Sequence, residues 1–164
     1  MRNKLPSRIL KLIYFAFVHP HLLYGIEMYA NTGSTHLNKL EILNNKLLRI
    51  LQNKPYNVGY NTLSIPDLHK CKILLLVHKF MNHKYRLPSA FSNYFELNKN
   101  VHSHDTRRSK DLYVTPINKN FGKRCIRHKS STLWNQLPEV LKDHLSVRNF
   151  TRRLKVFLQS TNIS

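Results

Sequence analysis

The sequence predicts a mainly α-helical protein: a helical bundle first, then a basic, partly irregular extension with a short strand and two further helices. Three observations carry this. Apolar residues recur at three- and four-residue spacing in five windows of the 164-residue chain, the period of a helix with one buried face. Residues suited to start or stop helices, among them Ser7, Ser34, Pro66, Pro88 and Pro138, bracket those windows. A single run, Leu112-Tyr113-Val114, reads as a strand, and Pro116 ends it.

The first helix is expected over residues 7–18. Ser7 can cap it, and Ile9, Leu12, Ile13, Ala16 and Phe17 supply the apolar face. Pro20 breaks or kinks the pattern, and Leu22-Leu23-Tyr24 resumes it before Gly25. Tyr14, Phe15, Phe17 and Tyr24 read as packing residues. The second helix starts at Ser34 or Thr35 and ends before Pro55, with Leu37, Leu40, Leu43, Leu47, Ile50 and Leu51 as its stripe. Asn57 and Asn61 bound a turn-rich loop. The third helix starts at Pro66, with Asp67 set against the helix dipole. It carries Leu68, Cys71, Leu74, Leu75, His78 and Met81 on one face and Lys70, Lys72, Lys79 and Lys84 on the other, and Leu87-Pro88 ends it.

Residues 89–111 are rich in Asn and Ser and read as an irregular basic connection. After the strand come a helix over 123–133, closed by Asn135 and Pro138, and a last helix over 146–159. Val147, Phe150, Leu154, Phe157 and Leu158 line one side of the last helix, and Trp134 reads as core. The expected divisions are 1–88, 89–111 and 112–164.

Charge sets this chain apart from an ordinary domain. Twenty-seven Lys and Arg face eight Asp and Glu, a net charge of +19. Such an excess repels itself unless an anionic partner neutralises it, and nucleic acid is the first partner to consider. The excess is +6 over residues 1–65, +3 over 66–98 and +10 over 99–164, so the last part of the chain is where phosphates should be gripped. Arg107, Arg108 and Lys110 form one candidate cluster, beside His102, His104 and Thr106. Lys123, Arg124, Arg127 and Lys129 form the densest one, with Lys123 and Arg127 on one face of the expected helix. Lys46 and Arg49 on the second helix are further candidates. Arg152, Arg153 and Lys155 read as the solvated face of a terminal helix.

Several function classes are excluded. No two of the eight acids are adjacent, and Glu139 and Asp143 are the closest pair, which argues against a two-metal polymerase or nuclease centre. His102, His104, Cys125 and His128 match no standard zinc spacing, so no metal or other cofactor is expected. Cys71 lies on an apolar stripe, where an inert thiol is expected. The two cysteines fit a reducing compartment. The longest clean apolar run, residues 12–18, is far shorter than the roughly 20 residues of a membrane span. Arg2 and Lys4 ahead of it imitate a signal peptide, but no small-residue cleavage site follows.

The order of several pieces resembles a known family. Pro20-His21-Leu22-Leu23-Tyr24-Gly25 is followed by Leu37-x-x-Leu40 and Asn45-Lys46-x-x-Arg49-Ile50. Then come His102-x-His104-x-Thr106-Arg107, Leu133-Trp134-Asn135-Gln136-Leu137-Pro138 and Phe150-x-x-x-Leu154-Lys155-x-x-Leu158. Together they resemble the C-terminal region of the reverse transcriptase of non-LTR (LINE-type) retrotransposons of the jockey and chicken-repeat kind. The resemblance covers residues 8–159. It implies that residues 1–88 correspond to the helical thumb, which holds the template-primer duplex, and that the rest is a post-thumb extension. The family's catalytic string of an aromatic, a variable residue and two aspartates is absent, so the resemblance carries no catalytic residue onto this chain. Two cysteines 54 positions apart also cannot form the zinc knuckle of some related elements.

The expected function is therefore that of a reverse transcriptase fragment without its palm. It is not an enzyme as an isolated chain, and it binds RNA, DNA or their hybrid through phosphates. The resemblance implies the remaining reverse transcriptase domains as partners within a longer polyprotein, and no membrane. It implies nuclear residence, with a cytoplasmic ribonucleoprotein as a second location. The alternatives are a protein-interaction or self-association module built on the apolar helix of residues 7–30, and a decayed remnant with no selected function.

Overall fold

The computed structural model describes residues 5–52, 62–91, 93–102, 107–143 and 146–161. The fold is mainly helical, and no strand occurs among the described residues. In order, the helices are α1 (Ser7–Ile13), α2 (His19–Leu23), α3 (Ile26–Tyr29), α4 (Ser34–Gln52), α5 (Ile65–Asn82), α6 (Asn98–Val101), α7 (Asn120–Lys123), α8 (Ile126–Asn135), α9 (Glu139–Lys142) and α10 (Val147–Thr161). A π-helical turn, Tyr14–Val18, joins α1 to α2, and short 3₁₀ turns occupy Lys84–Arg86 and Ser89–Phe91. The chain divides into two compact units, Met1–His69 and Lys70–Ser164. The division falls within α5.

In the first unit the helical path continues past Pro20. The His19 amide bonds the Tyr14 carbonyl, five residues back. This wide turn immediately precedes Pro20, which has no amide hydrogen to offer. It also sets the phase of the buried face that follows Tyr14. Leu10, Tyr14, Val18 and Leu22, spaced by four, turn inward. The expected face is corrected: Ile9, Leu12, Ile13, Ala16 and Phe17 are all exposed. Of the four aromatics read as packing, Tyr14 is buried, but Phe15, Phe17 and Tyr24 are exposed. Ser7 is not a cap either; Pro6 holds that position, and the Ser7 hydroxyl donates to the Leu51 carbonyl at the end of α4, at 3.1 Å.

Gly25 has φ of +64° and turns the chain from α2 into α3, a conformation that L-residues with a Cβ resist. Leu22, Ile26, Ala30 and Ile65 then form one core cluster, and Tyr14, Leu48 and Leu51 another. The Tyr14 hydroxyl donates to Asn44 Oδ1 at 2.7 Å, which satisfies two buried polar groups at once. Helix α4 follows the expected span, but its buried face is Leu37, Leu40, Asn44, Leu48 and Leu51. Leu43, Leu47 and Ile50, expected in the stripe, are exposed together with Ile42. The expected loop over 57–61 and Pro55 lie outside the described residues.

Helix α5 begins one residue before Pro66. The Asp67 amide donates to Ser64 Oγ at 3.2 Å, and the Ser64 hydroxyl donates to the Asp67 carboxylate, a reciprocal cap.

In the second unit Cys71, Leu74 and His78 are buried as expected, with Ile73, Val77 and Phe80, whereas Met81 is exposed. The His78 ring stacks on Phe150 of α10 with centroids 4.3 Å apart, and Trp134 of α8 lies 6.0 Å from the same ring. Phe150, Leu154 and Leu158 are buried along α10. The strand expected at residues 112–114 is one antiparallel bridge between Leu97 and Leu112. The helix expected over 123–133 is also corrected. Helix α7 ends at Lys123, Cys125 is extended with ψ of 136°, and α8 starts at Ile126. Lys123 and Arg127 therefore sit on different helices.

Candidate nucleic-acid interface

Arg107, Arg108 and Lys110 occupy one turn, residues 107–110, in the second unit. Its backbone is held from outside. The Asn98 amide donates to the Asp111 carbonyl at 2.9 Å, and the Lys99 amide to the Ser109 carbonyl at 3.1 Å. Asn98 Nδ2 donates to the Arg108 carbonyl at 2.9 Å, and the Tyr113 amide closes the pairing on the Glu96 carbonyl at 2.8 Å. The peptide groups are thus engaged while the three basic side chains remain exposed. His102 packs against Tyr113, with ring centroids 5.8 Å apart. His104 and Thr106 lie outside the described residues.

Helix α8 anchors this arrangement. Asn135 accepts from the Leu112 amide at 2.9 Å through Oδ1 and donates to the Leu112 carbonyl at 2.8 Å through Nδ2. The side-chain amide thereby takes the place of a neighbouring strand on the far side of the bridge. Sequence reading assigned Asn135 only to the end of a helix. An amide next to the only tryptophan, 23 positions from an isolated three-residue apolar run, was the one available signal.

Three described carboxylates of this unit, Glu96, Asp111 and Glu139, are engaged with other cations. Glu96 Oε1 lies 3.7 Å from Arg127, and Lys142 bridges Glu139 at 2.7 Å and Asp111 at 4.0 Å. Among the described residues, no carboxylate pairs with Arg107, Arg108, Lys110, Lys123 or Arg124. These five side chains are exposed, and their charges are available to phosphate oxygens. Arg127 differs. Its pair with Glu96 is solvent-exposed and long, the kind worth about 0–1 kcal/mol, so a phosphate can displace the carboxylate. Lys129 is half-buried, and burial, then the nearby Lys70, holds its ammonium below the usual lysine range. In the first unit Lys46 is exposed on α4, and Arg49 is half-buried on the same helix.

Among the described residues, no group of three or more His, Cys, Asp or Glu is placed to hold a metal ion. Burial pushes the Cys71 thiol up, against the opposing charges of Lys155 and Lys72, so thiolate formation is disfavoured. Glu41 was not singled out by its sequence context. Burial raises its carboxyl, and Asp67, 26 positions away, raises it further, so the first unit brings two acids near each other. Among the described residues, no helix is long and apolar enough to cross a membrane. No known protein family, curated protein or solved structure matches the chain.

Proposed function

We propose that this chain is a non-catalytic, thumb and post-thumb part of a non-LTR retrotransposon reverse transcriptase, and that it binds RNA, DNA or their hybrid through phosphates. The observation that carries the binding is the set of five exposed cations, Arg107, Arg108, Lys110, Lys123 and Arg124, beside carboxylates already engaged elsewhere. Arg127 and Lys129 on α8 add to this surface, and Lys46 and Arg49 are contacts of lower rank. The motif order described above is what supports the ancestry. It also supports action beside a separate palm, on nuclear nucleic acid or in a cytoplasmic ribonucleoprotein. Phosphate contacts read no sequence, so binding discriminates little among sequences of equal length.

Neutralising the five exposed cations to Gln tests this. The expected result is loss of most oligonucleotide affinity with unchanged helical content by circular dichroism. Full affinity in the neutralised variant contradicts the proposal. For the ancestry, the reading frame upstream of the Met1 codon in the native transcript should hold a paired-aspartate motif; an unrelated upstream frame contradicts it.

One observation favours a second reading. Phe17 is 67% exposed and Tyr24 86%, along the first part of the chain, and Leu43, Leu47 and Ile50 are exposed along α4. Exposed apolar surface of this extent favours self-association. Size-exclusion chromatography at high salt decides it: a concentration-dependent dimer supports the reading, and a monomer throughout excludes it.

A further inference from the structure

Phe121, on α7, is 86% exposed. Single exposed apolar side chains are ordinary on protein surfaces, so exposure alone identifies nothing. Two further features distinguish this ring. The first is that its turn is fixed from within. Gly122 approaches Ile117 so closely that a Cβ there would clash with Ile117 Cγ2. Hydrogen bonds from the Arg124 amide to the Phe121 carbonyl at 3.1 Å, and from the Cys125 amide to the Gly122 carbonyl at 3.0 Å, close the turn. The chain therefore packs inward at Gly122 and leaves the preceding ring in solvent.

The second feature is the charge beside it in the chain. Lys119, Lys123 and Arg124 are all exposed, and no Asp or Glu occurs between Asp111 and Glu139 in the sequence. An exposed apolar ring flanked in the chain by exposed cations suits a ligand that offers both a flat π-face and negative charge. Single-stranded nucleic acid has that combination, because its bases are unpaired and its phosphates are close by. A duplex hides the faces of its bases and leaves only phosphates to the lysines. A protein surface of ordinary composition rarely pairs an aromatic face with several anions.

We propose that Phe121 is a stacking platform for an unpaired base of single-stranded RNA or DNA, with Lys119, Lys123 and Arg124 holding the flanking phosphates. This rests on the nucleic-acid reading above and narrows its ligand to single strands. The platform supplies affinity without sequence preference, since every base has a π-face.

The test uses the full chain, with single-stranded oligonucleotides containing 2-aminopurine and duplexes of the same sequence, as RNA and as DNA in parallel. Phe121→Ala is expected to weaken single-strand affinity about tenfold and to abolish 2-aminopurine quenching, with duplex affinity unchanged. Phe121→Tyr is expected to keep both affinity and quenching. Comparing RNA with DNA shows which strand the site takes. Retained quenching and affinity in Phe121→Ala, or an equal loss for single strand and duplex, overturns the platform while leaving phosphate binding intact. Absence of salt-sensitive binding to any oligonucleotide by the unsubstituted chain overturns both the platform and the nucleic-acid reading.

Discussion

Asn135 shows how one side chain can determine a local architecture. Its amide occupies both backbone groups of Leu112, a residue only 1% exposed. Asn135→Ala leaves a buried N–H and a buried C=O without these partners, at about 1–3 kcal/mol for each unsatisfied group. The expected loss is therefore at least about 2 kcal/mol by urea denaturation, and a loss indistinguishable from zero would show that the pairing is redundant. Glu41 makes a second prediction through pH. Its carboxyl is raised by burial and then by Asp67, so the folded state holds a proton more readily than the unfolded state. Stability is lost as pH rises from the ordinary carboxylate range through the raised value. Glu41→Gln should be more stable than the unsubstituted chain at neutral pH, and the difference should vanish as pH falls below the ordinary glutamate range. Thermal melts across that range check the sign. A variant less stable at neutral pH contradicts it. Neither residue was legible in the sequence, because each acts through a partner more than twenty positions away.

Helix spans were legible, and the orientation of the helices was less so. Apolar periodicity and stop residues located α4 and α10 closely, since long amphipathic windows with proline or polar ends leave few alternatives. For α5 they located the start, but the helix ends at Asn82, before the expected Leu87-Pro88 stop, and Lys84 lies in a 3₁₀ turn beyond it. The buried faces of α1 and α4 were misassigned because both carry apolar residues on more than one side. In α4, Leu47 and Leu48 differ by one position and by burial: Leu47 is 40% exposed and Leu48 only 3%. No pattern rule separates them. The π turn before Pro20 adds an extra residue to the turn and shifts the phase of the path after Tyr14, which a fixed period of 3.6 cannot anticipate. The observed phase makes a clear prediction. Leu48→Ala should cost about 2–5 kcal/mol, whereas Leu47→Ser should fall within about 0.5 kcal/mol of neutral in chemical denaturation. The reverse order would place the other face of α4 inward. Helix breaks were the other blind spot. The sequence from Asn120 to Asn135 has no proline to mark the extended Cys125, so the helix expected over 123–133 runs through that break.

At the scale of the whole molecule, charge was the most legible property and its availability the least. The sequence located the excess in its last part, and the second unit does contain the exposed clusters. Which cations keep their charge free for a ligand depends on tertiary pairing. Glu96 meets Arg127 from 31 positions away, and Lys129 is half-buried near Lys70. The exposed turn at 107–110 and the α7 terminus meet both requirements, charge and accessibility.

The salt dependence of oligonucleotide affinity tests this account most directly. Five phosphate contacts should give log K against log salt a slope of about −3.5 on single strands, from roughly 0.7 counterions released per contact. Fluorescence anisotropy from low to physiological ionic strength measures it. A slope near that value, reduced stepwise as Arg107, Arg108, Lys110, Lys123 and Arg124 are changed to Gln, is the predicted result. An affinity that is independent of salt over the same range would contradict the account.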